Sequence, residues 1–277
     1  MSLLLIMGVL FVGCSYSNMK QVVSDESLIA SFYPVGKGDC ILLQCEGESI
    51  LIDAGYAENA DDVISYLTEK NVTSLSAVIA THPDKDHIGG MTGMIESGID
   101  IGVLYKTDVV KKNSDDYIAM MSAIKNKGIH VKNPKIGDSF LLGSATVTFL
   151  APLSNQYDDV NNSSIVVKVT YAGQSMLFTG DILTEAENDL LNSTMNLNAA
   201  VLKVAHHGSS GTSSKKFLEA VNPQYAVITC NESDGHAPDN KVLKRLEKLD
   251  TTILRTDTEG LITITISSYG EIAVINK

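Results

Sequence analysis

From Leu28 onward the chain alternates short apolar runs with amphipathic stretches. Three runs open it: Leu28–Val35, Ile41–Gln44 and Ser49–Ile52. Gly36-Lys37-Gly38-Asp39 and Glu46-Gly47-Glu48 separate them, and such polar, glycine-marked breaks turn a chain between strands. Val63, Ile64 and Leu67 at i, i+1, i+4 predict a helix over 58–70. Leu75–Thr81 is a continuous apolar run, as expected of a strand buried on both faces. A helical pattern follows over 90–96. Another, Asp115–Asn126, carries Tyr117, Met120, Met121 and Ile124 on one side, a stripe suited to core packing.

The second half contains a clear hairpin. Ile165, Val167, Val169 and Tyr171 alternate, Ala172-Gly173 turns the chain, and Ser175–Thr179 returns it. Helices are predicted over 184–191, 213–220 and 239–248, and strands over Ala199–Ala205, Gln224–Thr229, Leu261–Ile266 and Glu271–Ile275. No internal repeat or low-complexity tract interrupts the pattern. Residues 28–277 therefore read as a single α/β domain in two β-rich halves, the two closing strands belonging to the second. The simplest packing lays two sheets face to face with helices outside, an αββα four-layer sandwich.

Composition narrows the class. Hydrophobic residues make up 44% and charged residues 19% of the 277, which excludes a disordered chain. The formal charge of −12 argues against a broad nucleic-acid-binding face. It leaves room for a local site where metal cations supply the positive charge.

Residues 3–13 (LLLIMGVLFVG) are an uncharged apolar run, too short for a membrane span and suited to the core of a secretory signal. Phe11-Val12-Gly13-Cys14 resembles a bacterial lipobox. The expectation is a signal peptide over 1–13, a lipidated Cys14, a tether over 14–27, and an extracytoplasmic domain held on the membrane by its lipid anchor. Cys40 and Cys45, expected on opposite faces of one strand, cannot pair with each other. With Cys230 they read as small buried hydrophobes.

The candidate chemistry sits after the predicted strands. Leu75–Thr81 runs into His82-Pro83-Asp84-Lys85-Asp86-His87-Ile88-Gly89-Gly90. In an extended backbone His82 and Asp84 point the same way and can grip one ion. Asp86 and His87, at the turn into a helix, can grip another beside it. Carboxylate and imidazole together suit Zn²⁺ or Mn²⁺. Asp181, the His206–His207 pair and His236 also follow strands, and strand-to-loop junctions are where active sites of layered α/β proteins gather. His130 reads as structural.

This ordered set resembles the metallo-β-lactamase superfamily, and within it the ComEC-like hydrolase domains and phosphorylcholine esterases. Val35-Gly36-Lys37-Gly38-Asp39 is similar to the family's VGQGD and Leu51-Ile52-Asp53-Ala54-Gly55 to its LIDAG. Asn161–Ser164, Thr179-Gly180-Asp181, His206-His207-Gly208-Ser209, Gly235-His236-Ala237-Pro238 and Arg255-Thr256-Asp257 follow in the family's order. The resemblance implies two divalent ions: His82, Asp84 and His207 on one, Asp86, His87 and His236 on the other, with Asp181 bridging. A water between two such ions loses a proton near neutral pH and becomes the attacking hydroxide. His206 and Asp86 are the candidate catalytic residues, His206 as a general acid or a donor to a phosphate oxygen. Asp53 would orient a ligand, while Asn162 and Ser209 would contact substrate. Asp84 stands where lactamases carry a second histidine. The expected activity is therefore phosphodiester hydrolysis, on nucleic acid or on a wall or lipid component. A lactamase, lactonase or thioesterase on the same scaffold is the enzymatic alternative. A non-catalytic surface lipoprotein is the remaining one.

Overall fold

The computed structural model describes residues 26–231, 233 and 237–276. The expected signal peptide, Cys14, nearly all of the tether and His236 lie outside the described residues.

The first half runs β1 (Ser27–Phe32), β2 (Ile41–Cys45), β3 (Glu48–Ile52), α1 (Ala60–Glu69), β4 (Ser74–Leu75), β5 (Ala77–Ala80), α2 (Lys85–Ile88), α3 (Met91–Glu96), β6 (Asp100–Ile101), β7 (Leu104–Lys106), α4 (Asp115–Lys127) and β8 (Val131–Lys132). The second runs β9 (Ser139–Leu142), β10 (Ala145–Ala151), β11 (Val166–Tyr171), β12 (Gln174–Phe178), α5 (Thr184–Asn192), β13 (Val201–Lys203), α6 (Lys215–Val221), β14 (Tyr225–Ile228), α7 (Asn240–Glu247), β15 (Thr252–Arg255), α8 (Thr256–Glu259), β16 (Ile262–Ser267) and β17 (Ile272–Asn276). One sheet has the order β17-β16-β1-β2-β3-β5-β7-β8, the other β15-β14-β13-β12-β11-β10-β9, and β4 pairs with β6 apart from both.

Three apolar clusters correspond to the three interfaces of a four-layer stack. Phe32, Leu43, Ile52, Phe149, Phe178 and Ile264 belong to the central one, between the two sheets. Leu51, Val78, Met91 and Met120 lie under the helices of the first half. Leu177, Leu202, Phe217 and Leu246 lie under those of the second. Cys40 falls in an outer cluster and Cys45 in the central one, on opposite faces as expected, and the three described cysteines are free and buried.

The sequence pattern misplaces some elements. The closing strands β16 and β17 do not belong to the second half's sheet: β16 pairs antiparallel with β1 and so extends the first sheet. Alternation reveals that a strand has one buried face but not which sheet supplies its partner. The run Leu75–Thr81 is split, with β4 turned to β6 and only β5 entering the first sheet between β3 and β7. Six further strands, β6–β10 and β15, are not predicted by the pattern. Most are two to four residues long, too short for a period of two to register.

Candidate metal centre

Parallel pairing sets the site. β3 and β5 are parallel in the first sheet, and β12, β13 and β14 are parallel in the second. Their C-terminal ends lead into the residues of interest: Asp53 after β3, Thr81 and His82 after β5, Asp181 after β12, His206 and His207 after β13, Thr229 after β14. Ligand sites of α/β folds form at such ends. The loop carrying the acids is clamped from below. His87 O accepts from the Ala54 amide at 2.8 Å. A Cβ at Gly90 would sit 2.2 Å from Ala54 O, so only glycine allows this approach.

His206 and His207 both adopt left-handed backbone, at φ 49° and 54°, and Asp53 does so at φ 57°. Non-glycine residues in this region carry a conformational cost and gather at functional sites. Here the turn swings the fully buried His207 ring inward and leaves the His206 side chain 23% exposed.

Two imidazoles meet one carboxylate. His87 Nε2 is 3.3 Å and His207 Nε2 3.4 Å from Asp181 Oδ2, and His207 Nε2 is 3.8 Å from Asp86 Oδ2. One ligand atom from each of Asp86, His87, Asp181 and His207 lies within 4.8 Å of all the others. The far nitrogen of each ring is braced. His87 Nδ1 donates to Asp53 Oδ2 at 2.7 Å, and His207 Nδ1 donates to Thr229 O at 2.8 Å. A braced Nδ1–H leaves Nε2 as the coordinating atom. Asp53 is itself fixed by the Thr81 amide and hydroxyl, at 2.8 and 2.6 Å. The Asp181 amide donates to Ser164 Oγ at 3.1 Å.

His82 lies against this group, its ring centroid 4.2 Å from that of His87. Asp84 caps α2 in extended conformation, and its Oδ1 is 2.7 Å from Lys111 Nζ. His206 Nε2 is 3.7 Å from Asp181 Oδ2.

Electrostatics follow from burial and from these contacts. Burial opposes charge on His87, but Asp181 and Asp53 outweigh it and hold its pKa well above the ordinary histidine value. Burial likewise opposes ionisation of Asp181, and His207 and His87 outweigh it, so the carboxyl stays well below its usual range. Burial pushes His82 down to about 3, which keeps it neutral, and lowers His206. Asp53 is raised by burial.

A divalent cation fits this arrangement. His82 Nε2, His87 Nε2, His207 Nε2 and Asp181 Oδ1 are buried atoms without a hydrogen-bond partner. Such atoms are costly unless something else satisfies them. Nitrogen and carboxylate donors converging in one place are the set that borderline metals take.

The structure revises parts of the expected site. His207 groups with Asp86 and His87, not with His82 and Asp84, because the left-handed turn carries its ring across to Asp181. Asn162, expected to contact substrate, has its amide engaged within the fold. It is 2% exposed, its Oδ1 accepts from the Leu183 and Ala186 amides at 2.9 and 3.4 Å, and its Nδ2 donates to Glu185. It therefore pins the start of α5. Ser209 sits half-buried at the end of the histidine turn, its amide bonded to His206 O.

Two buried charged residues beside the centre are given no role by the sequence. Asp39, 1% exposed, accepts from Thr229 Oγ1 at 2.6 Å and pairs with Lys203 Nζ at 2.6 Å. Lys203 is fully buried, 4.0 Å from Asp181 Oδ1. A lysine inside the apolar run Val201–Ala205 is the available signal, since lysine is almost never fully buried unless paired.

Comparison with known proteins agrees with this geometry. The family model of the metallo-β-lactamase superfamily matches residues 33–230. The chain belongs to the metallo-β-lactamase superfamily and carries its clustered candidate metal ligands. It is 31% identical over 201 residues, 72% of its length, to ComE operon protein 3 of Bacillus subtilis, of which it covers 26%. It is 25% identical over 264 residues, 91% of its length, to Competence protein ComA of Neisseria gonorrhoeae, of which it covers 34%. The chain thus spans about a quarter to a third of these relatives. Among solved structures, YhfI of Bacillus subtilis, a metallo-β-lactamase fold protein, matches at TM-score 0.54 and 13% identity, over 82% of this chain and 95% of its own. CmlA, a diiron β-hydroxylase from Streptomyces venezuelae, matches at TM-score 0.55 and 13% identity, over 87% and 54%. Both likenesses concern the fold.

Proposed function

We propose that this protein is a metal-dependent hydrolase of phosphodiesters. One observation carries the reading: two buried imidazole Nε2 atoms without partners face a single carboxylate oxygen, each with its Nδ1 braced from behind. Divalent cations, zinc or manganese by donor type, would supply an activated water and stabilise developing negative charge.

The chain's own residues do the remainder. Asp86, His87, Asp181 and His207 would hold one cation, and His82 with Asp84 would contribute to a second; His236, expected from sequence as a further ligand, lies outside the described residues. Asp53 and Thr229 orient the two inner rings. His206, its pKa lowered by burial and its side chain part-exposed, would donate a hydrogen bond from its neutral ring to a phosphate oxygen. Ser209 would contact substrate.

Nucleic acid is the favoured source of the phosphodiester. The supporting facts are one relative named a competence protein and another named Recombination protein 2. The formal charge of −12 weighs against tracking along a long nucleic acid and favours a small phosphodiester. Anchoring of Cys14 outside the cytoplasm belongs to the same proposal.

The test is turnover of bis-nitrophenyl phosphate and of single-stranded DNA by zinc- or manganese-loaded protein, with a His87→Ala control. Both should be cleaved and the control should be inactive. Intact substrates alongside nitrocefin turnover would transfer the activity to the lactamase class.

A further inference from the structure

Lys111 is not used by the metal-centre account, yet it touches one of its residues. Its Nζ lies 2.7 Å from Asp84 Oδ1, and the two side chains are 41% and 27% exposed. Lys111 belongs to the loop between β7 and α4. Thr107 and Val109 of that loop line a small cavity together with His82 and Pro83, so the loop packs against the His82–Asp84 segment.

The two sides of the centre are therefore unequal. On one, His87 and His207 are buried, braced and aimed at Asp181. On the other, His82 Nε2 is buried and without a partner while the neighbouring carboxylate is held by an ammonium.

We infer that Lys111 is a built-in competitor for a second cation at His82 and Asp84, so that the two metal positions fill in order, the Asp86–His87–Asp181–His207 position first. This rests on the metal-centre reading above. The physical reason is short. A divalent ion at Asp84 either displaces the ammonium or accepts a positive charge close by, and both weaken binding. The pair is part-exposed, hence weak and screened by salt. It competes with the second ion without excluding it. No strand or helix has to move when the loop side chain lets go.

The test is calorimetric titration of chelator-stripped protein with Co²⁺, with visible absorption reporting each coordination sphere. The wild type should show a tight class and a weaker one. Lys111→Met should tighten the weaker class about two- to fivefold and leave the tight class unchanged. Lys111→Arg should behave as the wild type. Raising the salt should narrow the gap between wild type and Lys111→Met. A weaker class that is missing, or unmoved in Lys111→Met, overturns the inference, as does an equal shift in both classes. Loss of the tight class in the wild type is a different result. It would overturn the metal-centre reading itself.

Discussion

His87 comes from the first half of the molecule and His207 from the second, and the two rings are supported in different ways. His87 follows the end of a strand in the first sheet and is braced by a carboxylate, Asp53 at 2.7 Å. His207 follows the end of a strand in the second and is braced by the Thr229 carbonyl at 2.8 Å, with the Thr229 hydroxyl at 3.1 Å. The hydroxyl in turn donates to Asp39, which is paired with the buried Lys203. One ring therefore leans on a buried carboxylate held by Thr81, and the other on neutral oxygens backed by an ion pair. A charged brace makes a ring more basic and couples its metal affinity to pH. A neutral brace fixes direction without adding that charge.

The largest effect should come from removing what both halves share. Asp181→Ala takes away the oxygen that faces both Nε2 atoms. Tight metal binding should fall by more than the ten- to hundredfold, roughly, that loss of an outer partner causes. Calorimetric titration with Zn²⁺ measures this directly. Affinity within about tenfold of the wild type would mean that the two rings are not organised around this carboxylate.

Next in size is the contrast between the braces. Asp53→Asn should weaken metal binding by roughly ten- to a hundredfold, since it removes the charge that holds His87. Thr229→Val should cost only a few-fold, because the carbonyl that accepts from His207 Nδ1 belongs to the backbone and survives. Equal losses would remove the distinction.

How far this asymmetry is legible in the sequence depends on the residue. The Leu51–Gly55 motif points to an orienting role for Asp53, and the structure places that carboxylate on His87. The ordered acids and histidines of 82–87, Asp181 and 206–207 are visible because local sequence puts them directly after apolar runs. The pairing of His207 with Asp86 is not visible, since it depends on a left-handed turn that sequence spacing does not encode. The hydrogen bonds of Asn162 are hidden for the opposite reason. A polar residue in a short motif reads as available, whereas its amide is spent on α5. The two sheets and outer helices are legible from period and run length. The sheet joined by β16 and β17 is not, because pairing between Ser27–Phe32 and Ile262–Ser267 leaves no local mark.

The pH dependence sharpens the contrast further. In metal-free protein the His87 pKa stands above its unfolded value of about 6.5. The stability it contributes is complete below that value and is lost as pH rises through the folded pKa. Asp181 is the reverse case: its pKa is depressed, so its contribution is present above about 3.9 and lost as pH falls through the folded value. His82 and His206, both lowered, have made their gains by about pH 7.5, where unfolded histidines are neutral. Denaturant unfolding of chelator-stripped protein should therefore show stability falling above about pH 7.5, by at most about 1.4 kcal/mol per pH unit. Bound metal should abolish the fall. Titration in buffers of different ionisation enthalpy should find about one proton released per tight ion near neutral pH, and Asp53→Asn should reduce it.

The smallest effect on the centre, and the check that the others are specific, comes from Asn162. Asn162→Ala removes the acceptor for the Leu183 and Ala186 amides at the start of α5 and should lower stability by about 1–3 kcal/mol. Metal affinity should stay within about twofold of the wild type, because the two sites share no partners. Asn162 touches α5, which packs on the outer face of the second sheet, and neither ring brace passes through it. Denaturant unfolding measured beside metal titration separates the two quantities. If this substitution moved metal affinity as far as Asp53→Asn does, the centre would be responding to loss of stability in general, and the different losses at the two braces could no longer be assigned to what holds each ring.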